Sequence, residues 1–199
     1  MERKLNLLTT VALATAIVGT AFAQDDLKGY KWRADMHNHG WKVGFLPSQE
    51  NGRAQTLIAN PTKWVTVNIN RVAQVDNLDQ GDALGKNRAD FYALIWVNGQ
   101  VYKSANYSKD DGSPNWTLKV PVTDDASTIR IRLMEDDGGL EEKDDHVDIN
   151  PMSKAKDLLI QFNSATGAIT GDLTGTKGTM MSSTGLGDDD KGKISFTIG

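Results

Sequence analysis

One short segment of the chain concentrates acidic side chains. Residues 134–150, MEDDGGLEEKDDHVDIN, hold eight carboxylates against a single lysine, Lys143. The carboxylates belong to Glu135, Asp136, Asp137, Glu141, Glu142, Asp144, Asp145 and Asp148. So many like charges repel one another unless solvent or a cation compensates them. The segment is therefore either a solvated surface loop, the usual role of a charge run, or a loop that binds a cation.

A second acidic segment occurs earlier in the chain. Residues 75–92, VDNLDQGDALGKNRADFY, carry Asp76, Asp79, Asp82 and Asp90. This segment leads into the apolar run 91–97, and the later acidic segment follows the alternating run 128–133. If these runs are antiparallel strands of one sandwich, both loops leave the same end and their carboxylates converge.

The residue types favour calcium over other cations. Calcium takes six to eight oxygen ligands in flexible geometry, whereas zinc prefers cysteine and histidine. The chain has no cysteine and three histidines. His37 and His39 have a spacing that suits zinc on a strand, but no third ligand is evident nearby, and we expect surface histidines.

Other chemistries fit the sequence less well. Two carboxylates can hydrolyse a glycosidic bond, but this requires a tuned pair in a cleft, and so many acids in one loop are more typical of a cation site. The chain contains no nucleophile elbow, P-loop or cysteine nucleophile. Its net charge of -4 argues against nucleic-acid binding. We therefore expect no enzymatic activity.

The elements that would position these loops are strands. Residues 64–70, 115–122, 128–133 and 193–198 alternate apolar and polar side chains, and Asn98-Gly99 after the run 91–97 is a strong hairpin signal. With the shorter runs at 101–103, 158–162 and around Ile169, about eight short strands are predicted. Such a pattern is typical of an all-β, antiparallel eight-stranded β-sandwich. Residues 174–190, rich in Gly, Ser and Thr, are predicted to be a long loop.

The N-terminus has the pattern of a secretory signal peptide. A basic start, an apolar run and the small residues Ala21-Phe22-Ala23 predict cleavage after Ala23 and a periplasmic or secreted protein. The apolar run is too short for a stable membrane span, so no transmembrane segment is expected in the mature chain. The predicted organisation is a signal peptide at 1–23, an irregular N-terminal extension at 24–62 and a β-sandwich domain at 63–199.

Three motifs in order resemble those of C2 domains. Asp90-Phe91-Tyr92 opening a strand resembles the Asp-Pro-Tyr signature, and Ser113-Pro114-Asn115-Trp116 resembles the Asn-Pro-x-Trp turn. The strand 129–137 followed by Asp144-Asp145-His146-Val147 resembles the strand ending in Asp-x-Asp with a later Asp. The resemblance covers about residues 63–198 and implies a divergent C2-like, calcium-binding sandwich.

The resemblance also implies a ligand set. Asp90, Asp137 and Asp145 fall on calcium-ligand positions, and Glu135 replaces the first Asp of the second loop. Asp76, Asp79 and Asp82 compete for the remaining ligand from the first loop. The chain departs from the family pattern at Phe91, Glu135 and Val147-Asp148, which leaves the choice among neighbouring acids open.

The expected function is that of an exported calcium-binding C2-like module with one to a few ions for stabilisation, for surface or partner binding, or for both. Anionic lipid is a secondary suggestion for a partner, because the set of residues in the two loops that could contact lipid is small beside so many acids: Leu84, Lys86, Arg88, Leu140 and Lys143. The alternative is a carbohydrate-binding or adhesion module on a calcium-stabilised sandwich, with Trp or Tyr side chains that contact a glycan.

Overall fold

The structure, a computed structural model, describes part of the chain. The described ranges are 27, 30–35, 38–45, 63–76, 78, 89–136, 144–152, 155–187 and 190–199. They contain no helix, and therefore none that is long and apolar enough to span a membrane. The predicted signal peptide lies outside them.

The described ranges form fifteen strands. The first eight are β1 (Lys31–Ala34), β2 (Lys42–Phe45), β3 (Lys63–Gln74), β4 (Asp90–Val97), β5 (Gln100–Lys103), β6 (Tyr107–Ser108), β7 (Asp111–Gly112) and β8 (Trp116–Val122). The others are β9 (Ala126–Glu135), β10 (Asp145–Val147), β11 (Leu158–Asn163), β12 (Ala168–Gly171), β13 (Gly175–Thr176), β14 (Met181–Thr184) and β15 (Gly192–Ile198). All long predicted strands are present, with shorter ones between them.

The strands pair into two antiparallel sheets. Sheet A follows the order β1-β2-β5-β4-β9-β11-β12-β13, with β10 also paired to β9 and β6 to β4. Sheet B follows the order β14-β15-β3, with β7 and β8 both paired to β3. The all-β antiparallel sandwich predicted from the alternating pattern is confirmed.

The core lies between the sheets and follows the period of two. In β3, Val65, Val67 and Ile69 are fully buried while the residues between them are partly exposed. The same alternation places Leu118 of β8 and Phe196 of β15 inside. Strands β3, β8 and β15 thus each contribute one apolar face to a single core, as expected for packed sheets.

Strand β4 is buried on both faces. Phe91, Ala93 and Ile95 face the core. Tyr92, Leu94 and Trp96 face outward and form a second apolar cluster with Val101 and Met134. Leu27, Tyr30 and Trp32 of the N-terminal extension pack against this cluster, which explains why the sequence of β4 is apolar throughout.

The predicted Asn-Gly hairpin is confirmed. Asn98 and Gly99 have φ values of 50° and 84° and connect β4 to β5, with Val97 paired to Gln100. Two successive left-handed residues match the right-handed twist of the flanking strands.

A bulge in β3 directs the chain toward the first acidic segment. Ser195 of β15 pairs with Arg71 and Phe196 with Ile69, so β3 has one extra residue at Asn70. Beyond this bulge the inward position changes, and Val72 is again fully buried. The bulge therefore keeps the strand apolar toward the core while it bends toward Asp76.

The N-terminal extension adds a hairpin to the sandwich. Strand β2 pairs with β5 and with β1, and Trp41 between them enters the main core at 3% exposure. The Asn38 side chain accepts a hydrogen bond from the Lys119 backbone N–H at 2.6 Å and donates to the Lys119 carbonyl at 3.0 Å. The predicted boundary between residues 62 and 63 stays a prediction, because residues 46–62 lie outside the described ranges.

The prediction of one long loop over residues 174–190 is wrong. This stretch contains β13 and β14, and β14 pairs with β15 over four residues. Met181 and Ser183 are buried, and the Ser183 hydroxyl donates to the Ile149 carbonyl at 2.6 Å. Small polar residues obscured the alternation, since a buried Ser carries no hydrophobic signal.

Candidate metal centre

Three of the predicted ligands lie at one end of sheet A. Asp90 begins β4, Glu135 ends β9 and Asp145 begins β10. Glu135 pairs with Phe91 on one side and with Asp145 on the other. The Asp90 backbone N–H donates to Oε1 of Glu135 at 3.2 Å. The strand ends that flank the two acidic segments therefore meet at this end, which we call the acidic pole.

Glu135 and one carboxylate oxygen of Asp90 are shielded from solvent. Glu135 is 2% exposed. Oδ1 of Asp90 is also buried, and it has no hydrogen-bond partner among the described residues. A buried carboxylate oxygen is costly unless a donor or a cation compensates it, so this atom suits an ion ligand.

The third carboxylate, that of Asp145, lies near the negative charges of other acids. Burial raises the pKa of Asp145, and the nearby negative charges of Asp190 and Asp144 raise it further, while Lys156 opposes the effect. In the protein without a bound ion, Asp145 is therefore harder to ionise than a free aspartate. A bound cation would reverse this, because it replaces like-charge repulsion with attraction.

Asp76 lies on the sheet B side of the acidic pole. Its backbone N–H donates to the Lys191 carbonyl at 3.1 Å, and its Oδ2 accepts from the Lys191 N–H at 3.1 Å. The Lys191 ammonium lies 3.6 Å from its Oδ1. Asp76 thus ties the end of β3 to the start of β15, and its carboxylate already has partners.

The ligand set remains a prediction as a whole. Asp79, Asp82 and Asp137 lie outside the described residues. Within the described residues, no group of three or more His, Asp or Glu side chains is arranged to hold an ion. In the described part, Asp90, Glu135 and Asp145 lie at the strand ends next to the two acidic segments, and their role as ligands stays a prediction.

The donors present fit calcium. All are carboxylate oxygens, which are the hard ligands that calcium prefers. No histidine or cysteine of the described residues joins them. A buried unpaired oxygen on Asp90 and a raised pKa on Asp145 are both conditions that a divalent cation relieves.

Other acids of the later segment have structural partners. Asp148 is 2% exposed, and its carboxylate accepts hydrogen bonds from the backbone N–H groups of Asn150 and Gly187 at 2.9 and 2.7 Å. The carboxylate of Asp144 accepts a hydrogen bond from the Tyr92 hydroxyl. Asp148 therefore stabilises a turn, and the choice between ligand and structural acid, open from the sequence, is settled for this residue as structural.

Asp190 is a residue of the acidic pole that the sequence predictions missed. It lies close enough to Asp145 to raise its pKa, and its carboxylate accepts a hydrogen bond from the Lys156 ammonium at 2.6 Å. The available signal was the run Asp188-Asp189-Asp190 directly before the last strand. Because the sequence prediction includes this run in a long loop, it gives Asp190 no place beside the acidic pole.

The sequence predictions also missed a charged cluster on the outer face of sheet A, which we call the Asp157 cluster. Asp157 binds Arg132 through two hydrogen bonds and contacts the Nε2 atom of His146 at 2.7 Å. Arg130 stacks on Trp96, with its Cζ atom 3.5 Å from the ring centroid. Outward-facing charges at alternate positions of a strand resemble an ordinary solvated face in sequence, although Arg130 and Arg132 are only 5% and 3% exposed.

Of the two histidines considered for zinc, His39 is exposed in a turn and His37 lies outside the described residues. The expected surface position is confirmed for His39. His146, which lies beside the second acidic loop in sequence, belongs to the Asp157 cluster.

Comparison with known proteins gives similarity in structure only. No family model matches the chain, and no curated protein matches it. Among solved structures, a C2 domain of plant Extended Synaptotagmin 1 is similar, with 12% identity, a TM-score of 0.43, and coverage of 70% of this chain and 94% of that one. A structure described as a C2 domain has 9% identity, a TM-score of 0.39, and coverage of 68% and 96%.

Human GIVD cytosolic phospholipase A2 is similar over a smaller share of its length. The identity is 11% and the TM-score 0.40, with coverage of 68% of this chain and 16% of that protein. C2 domains are thus among the structures that the chain resembles. At these identities, function has to be argued from the chain's own residues.

Proposed function

We propose that the chain is an exported, non-enzymatic, C2-like calcium-binding module. Carboxylates at the acidic pole would hold Ca²⁺, with Asp90, Glu135 and Asp145 at the strand ends. Asp79, Asp82 and Asp137 are the further ligands that we propose from the two acidic segments, and Asp76 would join them only if it released Lys191.

The observation that carries this proposal is the register of β4, β9 and β10. Glu135 pairs with Phe91 and with Asp145, so carboxylates distant in sequence are brought to one end of sheet A. The unpaired, buried Oδ1 of Asp90 supports the same interpretation. A solvated loop has no need of a carboxylate oxygen shielded from water.

Calcium would stabilise the fold by mass action. An ion that binds only the folded chain adds free energy of unfolding in proportion to the logarithm of its concentration over Kd. Extracellular calcium modules commonly have Kd values on the order of 10⁻⁴–10⁻³ M. Such a site is occupied outside the cell, which suits a stabilising role.

The test is calorimetric titration with Ca²⁺, together with melting curves in Ca²⁺ and in EDTA, on the parent protein and on Asp90→Asn. We expect the parent to bind Ca²⁺ and to melt higher in its presence, and the variant to lose most of both effects. Asp124→Asn is the matched control, because Asp124 is exposed near the opposite end of β9 and its replacement removes the same charge. Equal calcium responses in all three proteins would discard the assignment to the acidic pole, and no response in the parent would discard the metal.

Anionic lipid is the partner that we propose for the acidic pole. Two of the exposed large apolar side chains, Met152 and Leu186, are 69% and 66% exposed. Both lie beside Asn150, since the Leu186 N–H donates to its carbonyl and the Met152 N–H to its Oδ1. Val75, at 50% exposure, adjoins Asp76. Exposed apolar side chains next to a cation site suit an interface with anionic headgroups.

The lipid proposal is tested by co-sedimentation with phosphatidylserine vesicles in Ca²⁺ and in EDTA. Leu186→Ser should weaken calcium-dependent binding. Met180→Ser is the control, because Met180 is also exposed, at 54%, but precedes β14 whereas Leu186 follows it. Equal binding of the two variants would contradict a contact through this pole.

N-terminal sequencing of the exported protein, with Gln24 as the expected first residue, tests export.

A further inference from the structure

The two strands that flank the later acidic segment are joined by one carboxylate outside the acidic pole. Arg132 precedes Glu135 by three residues on β9, and His146 directly follows Asp145 on β10. Both side chains contact Asp157, which lies just before β11. The Arg132 Nε and Nη2 atoms lie 2.8 and 2.9 Å from its two oxygens, and the His146 Nε2 atom lies 2.7 Å from Oδ1.

The contacts of Asp157 are well shielded from water. The side chains of Arg132, His146 and Asp157 are 3%, 11% and 14% exposed. Burial alone would raise the pKa of Asp157, but hydrogen bonds from His146 and Arg132 and their charges outweigh it and lower this pKa to about 2. The carboxylate is therefore ionised at neutral pH, and its two-pronged contact with Arg132 has defined geometry.

Strand β10 is short, and besides its strand pairing it is constrained by the buried Val147 side chain and by the bridge between Asp148 and Lys191. It contains three residues, and within the described residues it pairs only with β9. A slip of one residue in a strand moves every side chain to the opposite face. In β10 such a slip would exchange Asp145 with His146 and would remove Asp145 from its place opposite Glu135.

Asp157 itself does not belong to the ligand set. It lies with Arg132 and Trp96 on the outer face of sheet A, where Arg130 stacks on Trp96 and places its Nε 3.6 Å from Asp157 Oδ2. Glu135, three positions along β9 from Arg132, lies on the opposite face of the strand. The contacts of Asp157 that lead toward the proposed ligands are those with His146, next to Asp145, and with Arg132 on β9.

We infer that Asp157 is a positioning residue for the cation site: by holding His146 and Arg132 together it fixes Asp145 opposite Glu135. This inference rests on the proposed function, because it concerns the affinity of the same site. Groups that orient metal ligands from outside typically contribute a factor of about 10–100 to metal affinity.

The experiment measures the Kd for Ca²⁺ by calorimetry on the parent protein, Asp157→Asn and Asp157→Glu, at a temperature where circular dichroism shows each to be folded. We expect Asp157→Asn to raise Kd about tenfold or more, and Asp157→Glu, which keeps the charge, to recover part of the loss. Asp125→Asn is the matched control. It removes a carboxylate that pairs with Lys63 and Ser164 just before β9, at the end remote from Glu135.

His146→Gln covers the case in which Asp157→Asn does not fold. It leaves the Arg132 pair intact and removes only the tie to β10, so it should raise Kd by a smaller factor. Parental Kd values in the folded Asp157 and His146 variants would overturn the inference while leaving the calcium site in place. Absence of calcium binding in the parent protein would instead overturn the proposed function, and the inference with it.

Discussion

The pKa of an aspartate is shifted in opposite directions at the acidic pole and in the Asp157 cluster. At the acidic pole, Asp145 faces Asp190 and Asp144, and burial together with these charges raises its pKa. In the Asp157 cluster, hydrogen bonds from His146 and Arg132 lower the pKa of Asp157 to about 2 in spite of its burial. Burial acts in the same direction on both aspartates, and only at Asp157 do the neighbouring side chains outweigh it and reverse the shift.

The charge of the Asp157 carboxylate is compensated by side chains of the protein, whereas that of Asp145 is only partly compensated. Asp157 contacts the Arg132 guanidinium on β9 and the His146 ring on β10. Asp145 has Lys156 as an opposing charge, but the anionic neighbours and burial prevail. The first arrangement stabilises the fold, whereas the second lowers its stability, and under the proposed function a bound cation would offset that loss. Four predictions test this contrast.

The largest effect is expected from Asp157→Asn. The variant leaves the Arg132 guanidinium buried without the Asp157 carboxylate, and breaking a buried ion pair typically costs about 3–5 kcal/mol of unfolding free energy. Urea denaturation in EDTA measures it. A loss below about 1 kcal/mol would show that Asp157 contributes no more than an ordinary surface ion pair. It would then contradict the contrast between Asp157 and Asp145.

The next largest effect is a loss of the free energy of unfolding at acidic pH. Because the folded pKa of Asp157 lies below its unfolded value of about 3.9, its stabilisation is complete above that value and is lost as pH falls toward about 2. This contribution amounts to about 2–3 kcal/mol. The free energies of unfolding of the parent and of Asp157→Asn, measured from pH 6 to pH 2, should therefore converge at the acid end. Parallel curves would contradict a lowered pKa.

A smaller effect is expected from calcium itself. At a free Ca²⁺ concentration about ten times Kd, one site adds about 1.4 kcal/mol to the free energy of unfolding. The increase should be present in the parent and largely absent in Asp90→Asn, as followed by urea denaturation at matched ionic strength. The same increase with Mg²⁺ at equal concentration would indicate general screening of the acidic pole instead of a calcium site.

The smallest effect is expected from Asp145→Asn, whose effect on the free energy of unfolding should have opposite signs without and with calcium. Because the folded pKa of Asp145 is raised, the folded state binds the proton more tightly, and apo stability should rise as pH falls through that pKa. Asp145→Asn should accordingly stabilise the apo protein at neutral pH, by about 0.5 kcal/mol or less since solvent screens the exposed part of the group. In Ca²⁺ the same variant should be less stable than the parent. Destabilisation in both conditions would show that Asp145 has structural partners of its own.

Much of the fold followed from local patterns, while the site followed only in part. The alternation in residues 64–70 and 193–198 predicted β3 and β15, and Asn98-Gly99 predicted the β4–β5 hairpin. The acidic segments could be named as cation loops because a cluster of charges is visible in sequence. Asp157 could not be found in this way, because a single Asp directly before an apolar strand gives no signal of its partners.

The sequence by itself determined the all-β class, since a period of two in apolar side chains can be buried only by strands. It also determined that acidic segments adjoin strand ends. Only the tertiary structure decided that Glu135 lies between Phe91 and Asp145, that Asp148 is structural, and that Asp157 joins β9 to β10. These relations depend on the register between distant strands, and the energies that fix register come from contacts absent from any local stretch of the chain.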